Sequence, residues 1–544
     1  MISSIVVLFQ QQQLLLLLLL LLLLLLLLLL LATPTAIYTI SIREDTTKNQ
    51  QTAKMTRLVI NDTPRQVQSL PIDCWLGILE HLDPVDLPSL TLVSQSFYSY
   101  TQPLLYHTIS WEWNTVRRVR ILQLLRSILR NPELTLYIKH VDMLSAENRS
   151  SHGKWEDLRV NETDWDFVLA NYGDVVQQAQ AIVYTAKFPE AALWSEALQY
   201  GNVYAFVSIF LSQLHNLQSL RLDFTFVWKS GFPGLMLKHA LLSAPEGSLS
   251  NFNSLTTVDY GSNVPMSENR HLGLYGPYYI DGYPLCDPNQ FMAWFHLPSI
   301  RSLSIWLQRS QDVITSQQQA NLRHVHTLII ARSTIQEEEV PCLLSQMPAL
   351  RRLHLGIAYR WPKSALTNGS CIIEGLGLAR ESIEKLSLSL EYYPAKPRNF
   401  ALDYNSKDCM LRLPFRGFLK KFPQLISAEL PAHLLILNED DAVNLGSLLP
   451  STLQELCLHQ DNLRHSGEWY SESQIYAAAE NFLPHLKSYA PEMKRVTTRM
   501  CARALYPTHH WRGLEMVEEL CRQSDIQLRV VLDDLSPGLW VQDI

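Results

Sequence analysis

Between Leu70 and Ile109 the apolar positions fall at helical spacing, interrupted where the chain must turn. Leu70-Pro71 reads as an extended start, because proline biases the residue before it away from the helical region. Trp75, Ile78, Leu79 and Leu82 then occupy i, i+3, i+4 and i+7, the stripe of an amphipathic helix. Gly77 weakens that helix by about 1 kcal/mol relative to alanine, so packing has to hold it. Asp83-Pro84 breaks it. Asp86 is placed to cap a second helix, with Pro88 in the first turn, where no backbone N–H is needed. Leu87, Leu90, Val93 and Phe97 continue an apolar stripe, and Pro103 begins a last piece held by Leu104, Leu105, Tyr106 and Ile109. About forty residues cannot bury so many large side chains alone. The surplus predicts a module that docks on something else, with a helical hairpin packed on the following domain as the plainer alternative.

Residues 111–211 read as a mainly helical connection. Val119, Leu122, Leu125 and Leu129 mark a helix over Val116 to Arg130, ended by Asn131-Pro132. Tyr137 to Leu144 alternates toward a strand, Ser145 to Asp164 is a polar loop, and Trp165 to Leu211 is helical.

From 212 to 544 one short pattern recurs. Leu217-x-x-Leu220-x-Leu222 has the form L-x-x-L-x-L, as do the stretches centred on Leu303, Leu328, Leu353, Leu386 and Leu456, with weaker copies around Val258 and Ala428. This resembles the strand of a leucine-rich repeat. The steps 303 to 328 and 328 to 353 have the usual repeat length, and the longer steps must carry insertions. Helical segments at Val340 to Met347, Phe415 to Phe422 and Ala442 to Leu449 precede three of the copies. A helix–turn–strand unit buries its apolar face only by stacking on its neighbours, which predicts an irregular α/β solenoid. A generic α/β domain with parallel strands is the alternative. Leu514 to Cys521 as a helix and Ile526 to Leu532 as a strand look like one more unit and a cap.

The first segment resembles the F-box family. That family's pattern appears as Leu70-Pro71, Ile78-Leu79-x-x-Leu82, Asp86-Leu87-x-x-Leu90, Val93-Ser94 and Phe97, with Pro103-Leu104-Leu105-Tyr106 trailing it. Asp73-Cys74 and Pro88 depart from the pattern without removing an apolar anchor. The resemblance implies an F-box over 66–110, with Leu70, Pro71, Trp75, Ile78, Leu79, Leu82, Leu87, Leu90, Val93 and Phe97 binding a Skp-type adaptor and, through it, a cullin–RING ubiquitin ligase. An α-helical F-box followed by degenerate leucine-rich repeats is similar to a broad group of fungal F-box proteins. That similarity implies a substrate-recognition subunit that holds an unknown target protein and does no chemistry of its own.

Residues 1–54 stand apart. Four glutamines at 10–13 precede an unbroken run of leucines from Leu14 to Leu31. The run is long enough to span a bilayer core, and it lacks the basic front of a cleaved signal peptide. Adjacent Gln and Leu homopolymers are also what a slipped nucleotide repeat yields in different frames. With Met55 just ahead of the F-box, a misplaced start or a disordered appendage is the favoured reading, and a signal anchor the alternative.

A formal net charge of −7 argues against a nucleic-acid binder, and Arg117, Arg118 and Arg120 read as a solvated face. The eight cysteines are scattered without C-x-x-C, which fits free thiols in cytosol or nucleus. No phosphate-binding loop, nucleophile elbow or H-E-x-x-H motif is present, so no catalytic residue, cofactor or metal is expected. His509-His510 lacks spaced partners for a metal. Glu337-Glu338-Glu339 reads as a solvated helix cap, and the tyrosine-rich stretch 275–283 as a cover or a contact surface. A membrane-anchored leucine-rich-repeat protein and an F-box scaffold acting outside a ligase are the remaining functional alternatives.

Overall fold

The computed structural model describes residues 71–83, 86–145, 165–263, 287–307, 322–333, 335–361, 369–394, 417–431, 434–435, 448–459, 479–500 and 510–532. The leucine run, the stretch 275–283 and His509 lie outside these residues. Among the described residues no helix is long and apolar enough to cross a membrane.

Among the described residues three helices come first: α1 (Ile72–Leu79), α2 (Leu87–Thr91) and α3 (Gln95–His107). Strand β1 (Thr108–Ser110) follows α3 directly, then α4 (Arg118–Arg130), β2 (His140–Met143), α5 (Trp165–Thr185), α6 (Ala191–Gln199) and α7 (Val203–Leu211). Next come β3 (Ser219–Leu222), α8 (Phe224–Lys229), α9 (Phe232–Leu242), β4 (Thr257–Tyr260), α10 (Asn289–Met292), β5 (Ser302–Ile305) and β6 (Thr327–Ser333). The remainder is α11 (Glu339–Ser345), β7 (Arg352–Trp361), α12 (Ser370–Leu378), β8 (Lys385–Pro394), β9 (Ser427–Pro431), β10 (Glu455–His459), α13 (Leu486–Tyr489), β11 (Arg495–Met500), α14 (His510–Gln523) and β12 (Gln527–Leu532).

The twelve strands among the described residues form one sheet in sequence order, every neighbouring pair parallel. Parallel neighbours in chain order, joined by crossovers of one hand, put their connections on one face. The product is a leucine-rich-repeat-like solenoid. Its registers align one residue per strand: Ile109, Val141, Leu220, Val258, Leu303, Leu328, Leu353, Leu386, Ala428, Leu456, Val496 and Leu528. All but Leu528, on the edge strand, are buried. A second inward row two residues on, from Met143 through Leu355 to Leu458, extends the same core.

The sheet begins earlier than the repeat pattern does. β1 and β2 lie ahead of residue 212, and their Ile109 and Val141 take the anchor row without the flanking leucines that mark the later copies. β11 is likewise a full rung whose second inward position is Thr498 rather than an apolar residue. Pro103 does not start a separate piece but lies inside α3. A proline there costs about 3 kcal/mol. Packing offsets the cost, because Leu104, Leu105, Tyr106 and His107 are each half-buried where α3 runs into the sheet.

Three surface readings change as well. Arg118 stacks on Trp165 at 5.2 Å and Arg120 on Trp111 at 5.1 Å, so these guanidiniums lie on aromatic rings rather than on a purely solvated face. Glu337 and Glu339 are buried, and only Glu338 is exposed. Glu339 does serve the helix start, accepting from the Gln336 N–H at 2.9 Å. In α4 the buried stripe is Ile121, Leu122, Leu125 and Ile128, while Val119 and Leu129 pack at its margins.

Candidate functional site

The first three helices bury little of their own apolar surface. Leu79 and Leu87 point inward and are buried. Trp75 and Phe97 meet edge to face at 4.9 Å, tying α1 to α3. Ser94 starts α3 by accepting the Phe97 N–H at 3.2 Å, whereas Asp86 stands at the start of α2 without a side-chain cap. Leu82 lies past the end of α1, in the turn. Ile78, Leu82 and Leu90 are half-buried, Pro71 and Val93 are exposed, and Leu70 lies outside the described residues. The nine described residues among those marked in the sequence therefore range from buried Leu79 and Leu87 to exposed Pro71 and Val93.

Three further apolar side chains face outward here: Ile72, Tyr98 and Leu92, the last 87% exposed. Helical spacing selects the inward stripe and passes over them. Val93 lies on the stripe of Leu87, Leu90 and Phe97 and is exposed all the same. Leu92, a large apolar residue next to it but off that stripe, is the signal that would have found the outward surface.

The helices are fixed to the sheet through backbone. His107, the last residue of α3, accepts the Lys139 N–H at 3.0 Å, so α3 ends within the same ladder that builds β1 and β2. The His107 and His140 rings lie 5.0 Å apart. Burial, and then the neighbouring His107 and Lys139 charges, hold His140 below the usual histidine range.

On the sheet face away from the anchor row, the middle position of most strands is polar. Asp142, Arg221 and Asp259 sit on three successive strands, with Arg221 3.0 Å from Asp142 and 3.9 Å from Asp259. Burial raises Asp259 to about 6, against the opposing pull of Ser262, which donates through its N–H at 3.1 Å and its hydroxyl at 2.9 Å. Further along, Glu429 and Arg499 form a buried ion pair. His354 Nδ1 lies 2.8 Å from Ser387 Oγ, a spacing that a nucleophile and its base would use. Burial drives His354 to about 3, so it is neutral and a weak base, and both side chains are out of reach of solvent. The pair suits packing, not proton transfer.

Residues 67–103 match the model of the F-box domain. No curated protein matches the chain. Among solved structures, the leucine-rich repeat-containing protein LegL7 from Legionella pneumophila is similar at 16% identity and a TM-score of 0.33, over 61% of this chain and 88% of that one. The chain thus carries an F-box followed by a leucine-rich-repeat-like sheet, an arrangement typical of non-catalytic adaptors.

Proposed function

We propose that this chain is the substrate-recognition subunit of a Skp–cullin–F-box type ubiquitin ligase. Its F-box binds the Skp-type adaptor, its repeat sheet holds a target protein, and ubiquitin transfer occurs on the partner ligase by bringing target and donor together. The observation that carries this reading is an F-box match over helices whose apolar surface stays open. The outward residues Pro71, Ile72, Leu92, Val93 and Tyr98 form the adaptor contact in this reading. Trp75, Ile78, Leu79, Leu82, Leu87, Leu90 and Phe97 hold the helices in place behind them, and Leu70 completes the motif. The free thiols among the described cysteines support a reducing compartment, cytosol or nucleus.

The test is co-purification. Residues 55–544 are expected to retain the Skp-type adaptor and a cullin. Leu92→Asp with Val93→Asp is expected to release both while leaving the thermal melt unchanged, since neither side chain is part of the core. Failure of the unmutated chain to hold the adaptor would sink the proposal. Adaptor without cullin would indicate a scaffold outside the ligase.

A further inference from the structure

One rim of the sheet carries positive charge on consecutive rungs. The residue just before each strand is joined to the next through backbone: Thr256 O accepts from Arg301 N at 2.9 Å, Arg301 O from His326 N at 2.8 Å, and His326 O from Arg351 N at 2.9 Å. These side chains therefore repeat at the spacing of the strands, about 4.8 Å. Beside them, Arg352 and Lys385 open β7 and β8 as register partners, and Arg323 and His324 are exposed in the turn leading to β6. The neighbouring acids are Glu384, 3.7 Å from an Arg351 side chain that is 60% exposed, and Glu381, paired with Arg380 at 3.0 Å. Among the described residues no carboxylate pairs with Arg301, Arg323, Arg352 or Lys385. The accumulation stands against a chain whose net charge is −7.

The neighbouring face offers much less. Asp259, Ser304, Ile329, His354, Ser387, Glu429, Cys457 and Thr497, its middle row from β4 to β11, are each 9% exposed or less. Solvent-open chemistry on these rungs is at the rim. We propose that the rim of β5–β8 binds an extended, carboxylate-rich segment of the target protein. This rests on the reading that the repeat sheet holds a target. The cations spread over three rung steps, about 14 Å, which about four or five extended residues span. Such an array matches a run of carboxylates better than one concentrated phosphate, and arginine forks pair with carboxylates in bidentate fashion. The same backbone row starts at His107 and Lys139, so the segment would lie on the same rim as the F-box junction, at least four rungs from it.

The test is fluorescence anisotropy on the full chain, with a labelled peptide of about ten residues, long enough to cross the rim, carrying Glu at alternate positions. Binding should weaken as salt rises. The charge reversal R301E/R351E/R352E/K385E should lower affinity about tenfold or more, glutamine at the same four positions should lower it less, and Arg522→Ala in α14 should leave it unchanged. Equal binding by the glutamine variant or by a Gln-for-Glu peptide would overturn the proposal. So would tighter binding of a peptide with one phosphoserine and no Glu, or of a single-stranded oligonucleotide. Adaptor capture is measured on every variant. Its absence from the unmutated chain would count against the ligase reading alone, and its retention by the glutamine variant verifies that the fold is intact.

Discussion

The F-box helices and the repeat sheet are both rich in leucine, and they use it in opposite directions. In the sheet, Leu303, Leu328, Leu353 and Leu386 stack in one register and are fully buried. In the F-box, Leu79 and Leu87 are buried, while Leu92, Val93, Ile72 and Tyr98 face solvent. A solenoid rung finds its apolar partners on the adjacent rungs, so its leucines complete a core within the chain. Three short helices have no such neighbours, and their surplus is available to another molecule. Apolar content alone does not separate a core from an interface. The register does.

The sharpest way to break this comparison is one substitution at two leucines. Leu353→Ala removes an anchor from the centre of the ladder and should cost about 2–5 kcal/mol, read as a lower denaturant midpoint. A loss below 1 kcal/mol would mean the anchor row is not the core. Gly234 in α9 probes the packing around it. A Cβ built there would meet the Gln290 carbonyl oxygen at 2.0 Å, and Gln290 also accepts from the Tyr260 hydroxyl at 2.6 Å. Gly234→Ala should therefore destabilise by about 1–3 kcal/mol through forced backbone displacement. Gly77→Ala, in the open F-box helix with no atom in the way, should be neutral or slightly stabilising in the same melt.

Asp259 sharpens the comparison through pH. Burial raises its folded-state value to about 6, above the usual carboxylate range of the unfolded chain. The folded state then binds more protons than the unfolded state between about pH 4 and 6, so the Asp259 contribution to stability falls as pH rises through that window. The cost is fully present above pH 6 and absent below pH 4, with a size on the order of 1–3 kcal/mol. Asp259→Asn keeps an acceptor for the Ser262 N–H and should be more stable than the unmutated chain at pH 7 but not at pH 4. Parallel stability-against-pH curves for the two proteins would refute this. Asp174, which loss of solvent pushes up but Arg126, the Val175 N–H and Arg130 together hold low, has the opposite slope, so only the difference between the two curves reports on Asp259.

The same contrast explains what could be read from the sequence. Strands anchored by two leucines or a leucine and an isoleucine, such as β5 to β8, are visible because the pattern that stacks them is also the pattern along the chain. β1 and β11 lack that pattern, and β2 shows only the strand alternation of Tyr137 to Leu144. Ile109 pairs with Val141 and Val496 with Leu456, and no local spacing announces either contact. Helical periodicity reports burial and so marks the inward F-box residues such as Leu79 and Leu87, although Val93 on the same stripe is exposed. It could not identify Leu92, whose position is defined by facing nothing. The basic rim escapes for a related reason. Arg301, the Arg323 turn, Arg351-Arg352 and Lys385 come together only when strands stack, and along the chain they are separated by 22 to 33 residues.

The smallest expected effect on stability is also the most discriminating. Leu92→Ala removes the same side chain as Leu353→Ala, but from a position that is 87% exposed, so the folded chain loses almost no burial. The denaturant midpoint should move by less than about 0.5 kcal/mol. If the outward surface of the F-box is an adaptor contact, affinity for the Skp-type adaptor should fall about tenfold, because the burial that Leu92 lacks in the free chain would be gained in the complex. Isothermal titration with the adaptor and a denaturant melt on the same preparation read the two quantities separately. An unchanged affinity would move the contact away from the α2–α3 turn. A large loss of stability would show that Leu92 serves the fold after all, and the two uses of leucine would no longer be distinct.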